Sequence, residues 1–398
     1  MTVAAAVRYN PYDYEIHEDP YPTYSRLREE APLYRNEELG FWALSRHADV
    51  TAGFRDAVRL SSAQGVSIEP TATRPDAYKT MSFLALDPPR HDRIRAIVSK
   101  GFTPRRVASL EHRVRALTVE YLEPALDRNS FDFVTDFSGR LPMDVISEMI
   151  GVPRADRDEV RRQGDLLVRR DDGVIDVPRA GMEAALTLAG YFGEMVAERR
   201  RQRTDDLTSA LIDAGLDGDR LNDDEIIGFL FLMVVAGNET TAKLLAHAWF
   251  WAWRFPDERT KVFEDPSLVP GWIDETLRYD ASSQMLARTA TTDIEIHQGH
   301  IRSGDRVLLL IGAANRDERV FEEPDSYDIS RDTAEMISFG LGPHFCLGAN
   351  LARLEARVAL QELIARVKTY DVDPSGIRRV HSVNVRGFEA LPTTVEVR

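Results

Sequence analysis

Cys346, the only cysteine of the 398-residue chain, lies in a loop whose residues suit a metal ligand. Residues 339–348 read FGLGPHFCLG, and the glycines let the backbone adopt positive φ angles and pass close to a bulky group. A helix is predicted to begin just after Cys346, and its N–H groups and dipole favour a thiolate over a thiol. Loop N–H groups can also hydrogen-bond the sulfur and tune it as a ligand. By residue type alone, a lone cysteine is more often a small buried apolar side chain.

Glu239 and Thr240 follow the most apolar stretch of the chain, residues 226–236, inside a predicted helix. A hydroxyl beside a carboxylate can relay protons, either directly or through waters. The Thr240 hydroxyl can also bond back to the carbonyl of Ala236, four residues earlier, which opens a helix locally. The alternative is a helix whose polar groups face a neighbouring helix, and several polar residues among core positions disfavour it.

Two further pairs of charged residues have helical spacing. His91 and Arg95 are four residues apart, and Glu275 and Arg278 are three apart, so each pair shares one face of a helix. The first pair suits an anionic group that is partly buried. On residue type alone, each pair is more often an ordinary solvated pair on a helix surface, which contributes little to stability.

Long helices and a few short strands must position these residues. Apolar residues recur with helical period through most of residues 88–280 and 347–367, and Asn222 before three acidic residues is typical of a helix start. Strand-like patterns lie at about residues 33–47, 287–311 and 370–397. The expected fold is mainly α with minor β-sheets, in the α+β class. Length alone suggests two or three domains, but without a flexible linker we expect one domain over residues 1–398.

The composition excludes several classes of protein. One cysteine excludes an intramolecular disulfide and any cysteine-rich zinc or iron–sulfur site. A net charge of −15 argues against nucleic acid as the main partner, because phosphate binding needs a basic surface. The N-terminus lacks a signal-peptide pattern, and the longest apolar run is shorter than the about 20 residues of a spanning helix. We therefore expect a cytoplasmic protein without a membrane anchor.

The motifs resemble those of the cytochrome P450 family, in the same order and over nearly the whole chain. The cysteine loop is similar to the family's haem-ligand loop at Phe339, Gly340, Gly342, His344, Cys346 and Gly348. Residues 87–95 resemble its haem-propionate helix, residues 236–241 its oxygen-activation helix, and residues 275–278 its Glu-x-x-Arg motif. Residues 19–32, 288–290, 314–317 and 324–331 resemble soluble bacterial members of the actinobacterial type.

The resemblance implies haem b (iron protoporphyrin IX) as cofactor, with Cys346 as the thiolate axial ligand of iron. Such a ligand pushes electron density onto the iron and favours cleavage of a bound O–O bond. Glu239 and Thr240 are the implied catalytic residues, as a proton relay. Haem contacts are implied for His91, Arg95, Ala236, Gly237, Arg288, Phe339, Gly340, His344 and Gly348. A buried structural network that holds the cysteine loop is implied for Glu275, Arg278 and Arg331.

The resemblance also projects a substrate pocket onto scattered, mostly apolar residues. They are Val66, Ile68, Met81, Phe83, Leu232, Val235, Asn238, Met285, Leu286 and Val385. Such a lining suits an apolar ligand that a few polar groups orient. Ordinary core packing is the alternative for each of these apolar residues.

The implied function is monooxygenation, in which one oxygen atom of O2 is inserted into an apolar or polycyclic small molecule, most often as hydroxylation. Electrons would come from NAD(P)H through a separate ferredoxin and ferredoxin reductase, since the chain has no glycine-rich dinucleotide motif. We expect the ferredoxin to dock on a monomer at Arg105, Arg106, Arg353 and Arg357. The alternatives are peroxide-driven or C–C/C–O coupling chemistry on the same haem, and a haem-based gas- or ligand-binding protein.

Overall fold

Helices form most of the protein, a computed structural model that describes residues 6–171, 174–216 and 219–398. The helices of the N-terminal half are α1 (Tyr14–Glu18), α2 (Tyr21–Glu30), α3 (His47–Arg55), α4 (Tyr78–Met81), α5 (Arg90–Val98), α6 (Pro104–Ser109), α7 (Glu111–Asp127), α8 (Leu141–Ile150) and α9 (Arg157–Val168). Those of the C-terminal half are α10 (Arg179–Arg201), α11 (Leu207–Asp213), α12 (Asp223–Leu232), α13 (Asn238–Arg254), α14 (Pro256–Glu264), α15 (Val269–Tyr279), α16 (Ile311–Ala314) and α17 (Ala349–Arg366).

Short strands form small sheets at the edges of the helical mass. They are β1 (Leu33–Asn36), β2 (Phe41–Leu44), β3 (Leu60–Ser61), β4 (Ser130–Asp132), β5 (Gly215–Leu216), β6 (Asp219–Arg220), β7 (Met285–Ala290), β8 (Ile294–Ile296), β9 (Gly299–Ile301), β10 (Arg306–Leu310), β11 (Val367–Val372), β12 (Arg378–Arg379), β13 (Phe388–Ala390) and β14 (Pro392–Val397). The largest sheet has the order β1-β2-β10-β7-β3, and a second has the order β11-β14-β4. The remaining sheets pair β12 with β13, β5 with β6, and β8 with β9.

The centre of the fold is the helical stretch Asp223–Arg254, which comprises α12, a wider π-type turn at Met233–Gly237, and α13. It begins at a capping box in which the Asn222 side chain accepts from the Glu225 N–H and the Glu225 carboxylate accepts from the Asn222 N–H. By length and composition alone this stretch could cross a membrane, but 72% of its most apolar window is buried inside the protein. Its position is that of a core helix.

Helices α15 and α17 pack against α13; Ser338, just before the cysteine loop, donates to the Leu277 carbonyl of α15, and α17 follows the loop. Helix α17 begins at Ala349, directly after the loop, and its Leu351, Leu360 and Leu363 belong to the main buried cluster. The cysteine loop is therefore held between two helices of the core and faces the π-type turn.

The predicted α+β class with minor sheets is confirmed, and helices fill most of residues 88–280 and 347–367 as expected. The apolar run and the residues after it were expected to form one helix, whereas the structure interrupts that helix with the Met233–Gly237 turn. Strand β4 was not expected, because its pairing with β14 joins segments far apart in the sequence.

Candidate active site

A mostly apolar cavity, here called the central cavity, lies between the Met233–Gly237 turn with α13 and the cysteine loop. Its volume is about 230 Å³, just below the about 300–1,000 Å³ of ordinary small-molecule sites.

The cysteine loop is shaped by glycines at positions where a side chain would be strained. Gly340 and Gly342 have φ angles of +65° and +67°, a region that favours glycine. A Cβ atom at Gly342 would also lie 2.9 Å from the carbonyl oxygen of Phe54. The Cys346 N–H donates to the Phe339 carbonyl at 2.9 Å, which closes the loop and turns the Cys346 side chain into the central cavity.

The Cys346 thiol is enclosed by the protein, and what surface it exposes lies inside the central cavity. Burial raises the pKa of the Cys346 thiol above its ordinary value. The N–H groups of Gly348 and Ala349 and the charges of Arg95 and Arg353 act in the opposite direction without reversing the shift. The helix and loop thus hold the sulfur as expected, but they do not by themselves make it a thiolate. A metal cation bound to the sulfur supplies the remaining driving force.

Four basic side chains converge beside the cysteine loop, although they are distant in sequence. The ring centroids of His91 and His344 are 4.3 Å apart, and the charges of Arg95 and Arg288 act on His344. Buried nitrogens of this group, among them Nε2 of His91, Nη1 of Arg95 and Nη2 of Arg288, have no hydrogen-bond partner among the described residues. Buried polar atoms without partners are rare in folded proteins, and their convergence marks a site for an anionic ligand.

The ionisation of this basic group reflects its burial and the mutual repulsion of its positive charges. Burial, together with the charges of Arg288, His91 and Arg95, lowers the pKa of His344 to about 2. Burial also lowers the pKa of Arg288 to about 10, although Asp87 opposes the shift. An anion placed among these groups would relieve both effects.

The structure tests whether a porphyrin fits better than a bare metal ion. Among the described residues, no group of three or more His, Cys, Asp or Glu side chains could hold a metal. Cys346 can therefore ligate only a metal that brings other ligands with it. Iron protoporphyrin does so through its ring nitrogens, and its propionate carboxylates match the unpaired cations. The cavity, the sulfur and the basic group all fit haem.

Helix α13 presents different residues to its two sides. Gly237, Thr240 and Thr241 line the central cavity, and the Thr240 hydroxyl donates to the Ala236 carbonyl at 2.8 Å. This bond takes up a carbonyl within the π-type turn, where the regular pattern of helix hydrogen bonds is already interrupted. The Thr240 hydroxyl is thereby held at the edge of the central cavity.

Glu239 points away from the central cavity into a second space, here called the polar cavity. Its Oε2 atom lies 3.4 Å from the Lys243 ammonium, one turn later on α13. A hydrogen bond joins its carboxyl group to that of Asp165 on α9. Burial raises the pKa of Glu239, but Lys243 and this hydrogen bond more than offset that effect, and the net pKa is lowered.

Comparisons with known proteins identify the family. The family model described as Cytochrome P450 matches residues 177–379. The chain is also 56% identical over 390 residues to a Mycobacterium tuberculosis (strain H37Rv) protein provisionally named cytochrome P450 123, covering 98% of this chain and 97% of the relative. The chain belongs to the cytochrome P450 family.

Solved P450 structures agree with this assignment. The structure of CYP109Q5 from Chondromyces apiculatus matches with a TM-score of 0.89 and 33% identity, over 99% of each chain. CYP109E1 from Bacillus megaterium in complex with corticosterone matches with a TM-score of 0.84 and 30% identity, over 96% of this chain and 99% of that one. As a P450 the protein is a haem-thiolate monooxygenase that uses O2, a small-molecule substrate and redox partners. Its axial ligand is a cysteine thiolate, and Cys346 is its only cysteine.

The structure brings together the three residues predicted to form a structural network, Glu275, Arg278 and Arg331. Arg278 donates through Nε and Nη2 to both carboxylate oxygens of Glu275, at 2.7 and 2.8 Å. Arg331 and the Asp328 N–H also donate to Glu275 Oε1, at 3.4 and 3.0 Å. Arg278 binds the carbonyls of Asn315, Pro324 and Ser326 as well. These bonds fasten the segment that leads into the cysteine loop.

The structure brings most of the predicted haem contacts to the central cavity. Those that line it are Arg95, Ala236, Gly237, Phe339, Gly340, His344 and Gly348. His91 and Arg288 lie behind His344, within the basic group described above.

Three of the predicted substrate residues, Phe83, Leu232 and Leu286, line the central cavity. The structure does not bring the other seven to its described lining, namely Val66, Ile68, Met81, Val235, Asn238, Met285 and Val385. Strand alternation separates Leu286 from its neighbour Met285, whose sulfur accepts from the Tyr9 hydroxyl at 3.6 Å. Helix periodicity likewise turns Asn238 into the polar cavity.

Three charged residues near the site were not predicted. Asp165 and Lys243 meet Glu239 in the polar cavity. Glu355 on α17 lines the central cavity, is fully buried, and has a pKa raised well above its ordinary value by that burial. Lys243 and Glu355 could have been flagged as charges at apolar helix positions, whereas nothing in the sequence links Asp165 to Glu239.

The four arginines predicted to bind a redox partner differ in their surroundings. Arg353 pairs with Asp274 at 2.9 Å, and Arg357 pairs with Glu111 at 2.7 Å. Arg105 and Arg106 are exposed on α6, and no ion pair of theirs is found in the described parts of the chain. Positive charge available to a partner is therefore concentrated at Arg105 and Arg106.

Proposed function

We propose that this P450 hydroxylates an apolar, polycyclic small molecule in the central cavity. The observation that carries the proposal is that Cys346 and Thr240 open into one apolar cavity, whose walls include Phe83, Leu232 and Leu286. Apolar walls with few polar groups bind a ligand largely by removing its surface from water. The match to a P450 in complex with corticosterone is consistent with a ligand of that shape.

In this proposal the chain holds haem through three groups of residues. Cys346 provides the axial thiolate, and His91, Arg95, Arg288 and His344 bind the propionates. The backbone at Ala236, Gly237, Phe339, Gly340 and Gly348 lines the faces of the ring. Glu275, Arg278 and Arg331 hold the segment before the cysteine loop and take no part in the chemistry.

When bound, haem supplies an iron centre that activates O2 for insertion into a C–H bond. Thr240 contributes a hydroxyl at the edge of the central cavity. This hydroxyl can pass its proton into the cavity, and its Oγ atom then accepts another proton. Glu239 is one residue earlier but faces the polar cavity, so it can take protons from that side of α13 and return them to Thr240. The π-type turn at Met233–Gly237 lies directly before these two residues in the helix.

We propose a separate ferredoxin and an NAD(P)H-dependent ferredoxin reductase as the electron donors, in the cytoplasm, with a monomeric single-domain enzyme. The expected docking site is the cysteine side, and Arg105 and Arg106 carry its available positive charge. The double variant Arg105→Glu with Arg106→Glu should slow electron transfer from an acidic ferredoxin at low salt. The difference should fade at high salt, where charges are screened. An unchanged rate at low salt would contradict this docking site.

Two spectra test the central proposal. The reduced protein with carbon monoxide should show the red-shifted Soret band of thiolate-ligated haem, and its absence would contradict the cofactor assignment. Apolar polycyclic compounds should shift the haem from low to high spin as they displace the axial water. If small polar compounds produced that shift while polycyclic ones did not, the substrate class would be wrong.

Replacement of Thr240 tests the proton relay against peroxide-driven chemistry. Thr240→Ala should uncouple electron consumption from product formation, because the cavity loses its proton-passing hydroxyl, while peroxide-driven turnover should persist. Thr240→Ser keeps a hydroxyl and should restore most of the coupling. Full coupling in the alanine variant would rule out the relay role of Thr240.

A further inference from the structure

Among the described residues, none lines both the polar cavity and the central cavity, and α13 separates the two. The polar cavity has a volume of about 600 Å³ and opens to solvent. Glu239 is the residue of the acid–hydroxyl pair that reaches it. A proton that arrives at Thr240 through Glu239 must therefore start from this cavity.

A second carboxyl group meets Glu239 there. Asp165 belongs to α9, and a hydrogen bond joins its carboxyl to that of Glu239 on α13. Two carboxylates are both acceptors, so a hydrogen bond between them requires that one of the two carries a proton. The contact therefore stores a proton next to Glu239.

Lys243 decides which of the two carboxyls is ionised. Its ammonium lies 3.4 Å from Glu239 Oε2 and also donates to the Phe388 carbonyl at 3.1 Å, which fixes its position. The ammonium stabilises the anionic form of Glu239, and the buried anion in turn favours the protonated form of Asp165. Burial and the Glu239 charge raise the pKa of Asp165 to about 7.

Other charged groups surround Asp165 in the polar cavity. They are Arg161 and Arg162 from its own helix, Arg169, Arg170 and Asp171 from the segment after it, and Arg379, His381 and Glu389 from the C-terminal segment. The nearby positive charges, Arg161 among them, favour the anionic form of Asp165 and oppose Glu239. The proton on Asp165 is therefore held loosely enough to move near neutral pH.

We propose that Asp165 is the proton store that reloads Glu239 from the polar cavity. The O–H bond of Asp165 breaks as its proton passes to the Glu239 carboxylate, and Asp165 then regains a proton from water in the cavity. Asp165 touches neither substrate nor haem and acts only through Glu239. This inference rests on the proposed function, in which Glu239 supplies Thr240.

The test compares Asp165→Asn with Asp158→Asn, which removes an exposed carboxylate from the same helix. Infrared spectra of the purified haem protein, recorded against pH, report a protonated carboxyl group. The native protein and Asp158→Asn should show a band that titrates at about pH 7, and Asp165→Asn should lack it. Glu239→Gln should move that titration to lower pH, because the neighbouring negative charge is gone. A band that persists in Asp165→Asn would overturn the proposal.

Turnover gives the second measurement. Asp165→Asn should lower the yield of product per electron pair about tenfold, remove its dependence on pH near neutrality, and raise the solvent isotope effect. Asp158→Asn should keep the native values. A native pH profile in Asp165→Asn would overturn the proposal. The carbon monoxide spectrum distinguishes failure of the proton store from failure of the proposed function. If the spectrum shows thiolate ligation but Asp165→Asn has no effect, only the proton store is rejected. If the native protein lacks that spectrum, the proposed function is rejected.

Discussion

Two groups of buried charges, one around Arg278 and one around Arg288, differ in how completely their atoms are bonded. Both guanidinium groups are almost entirely buried. Each nitrogen of Arg278 has a partner, in the Glu275 carboxylate or in backbone carbonyls. Arg288 donates to the Ala287 carbonyl, but within the described parts of the chain its Nη2 atom has no partner and no carboxylate forms an ion pair with it.

The difference separates parts of the protein that serve the fold from parts that serve a ligand. A buried charge whose hydrogen bonds are all made within the chain needs no ligand, so we assign it a structural role. A buried charge with open bonds costs stability unless another molecule supplies the missing partner. In this P450 several cationic side chains with open bonds meet around His344 and Arg288, beside the cysteine loop, which is why we place the haem propionates there.

The largest effect on stability is expected when the fully hydrogen-bonded group around Arg278 is disrupted. Arg278→Ala leaves the Glu275 carboxylate buried without its main partner, which should lower the free energy of unfolding by about 3–5 kcal/mol. Chemical denaturation of the haem protein measures this change. The double variant Glu275→Ala with Arg278→Ala should lose less stability than the sum of the two single variants, because it removes both members of the pair and leaves neither Glu275 nor Arg278 as a buried charge without its partner. A loss below about 1 kcal/mol in Arg278→Ala would contradict a structural role for the network.

Substitution of Arg288, whose group has unpaired nitrogens, should have opposite effects on the haem-free and the haem-bound protein. Arg288→Met removes an unpaired buried cation, so the haem-free protein should be unchanged or more stable by about 1–4 kcal/mol. The haem protein should instead lose a charged partner of a propionate and release haem about tenfold faster. Haem transfer to a scavenger protein measures the release. If Arg288→Met destabilised the haem-free protein as strongly as Arg278→Ala, the contrast between the groups would disappear.

The sequence predicted much of the site where one short segment carries the signal. Cys346 and the glycines around it lie within ten residues, so their shared role follows from local spacing. Glu275 and Arg278 are one helix turn apart, and their pairing was equally local. The fold class followed from helical periodicity in the same way, because each helix buries one face of its own sequence.

The remaining features depend on strand phase or on long-range contact. Met285 and Leu286 are adjacent and both apolar, so only the pairing of β7 decides that Leu286 faces the central cavity. Asp165 reaches Glu239 through the packing of α9 near the π-type turn, which no local pattern encodes. The single-domain arrangement and the roles of the site residues stay predictions.

A smaller effect concerns a buried histidine outside the basic group. Burial lowers the pKa of His247 to about 4; its Nδ1 bonds to the Asp280 carbonyl at 2.7 Å, whereas its Nε2 has no hydrogen-bond partner among the described residues. His247 therefore stays neutral in the folded protein while the unfolded chain takes up a proton below its ordinary pKa near 6.5. Stability should fall as pH drops from about 6.5 to 4, by about 2 kcal/mol at pH 5. Denaturation with and without haem should show the same slope, and His247→Gln should flatten both; a slope that depends on haem would mean that His247 takes part in the haem site.

The smallest effect comes from a charge pair that is complete but exposed. Lys368 on β11 and Glu396 on β14 lie 2.5 Å apart, with more than half of each side chain in solvent. Water already satisfies both charges in the unfolded chain, so Lys368→Ala should change the free energy of unfolding by at most about 1 kcal/mol, and less at high salt. Haem release should be unchanged. Like Arg278, Lys368 has a carboxylate partner, but it is exposed. If Lys368→Ala lowered the free energy of unfolding nearly as much as Arg278→Ala, the ion pair itself rather than its burial would set the stability. The difference in stability expected between the Arg278 and Arg288 variants would then need another cause.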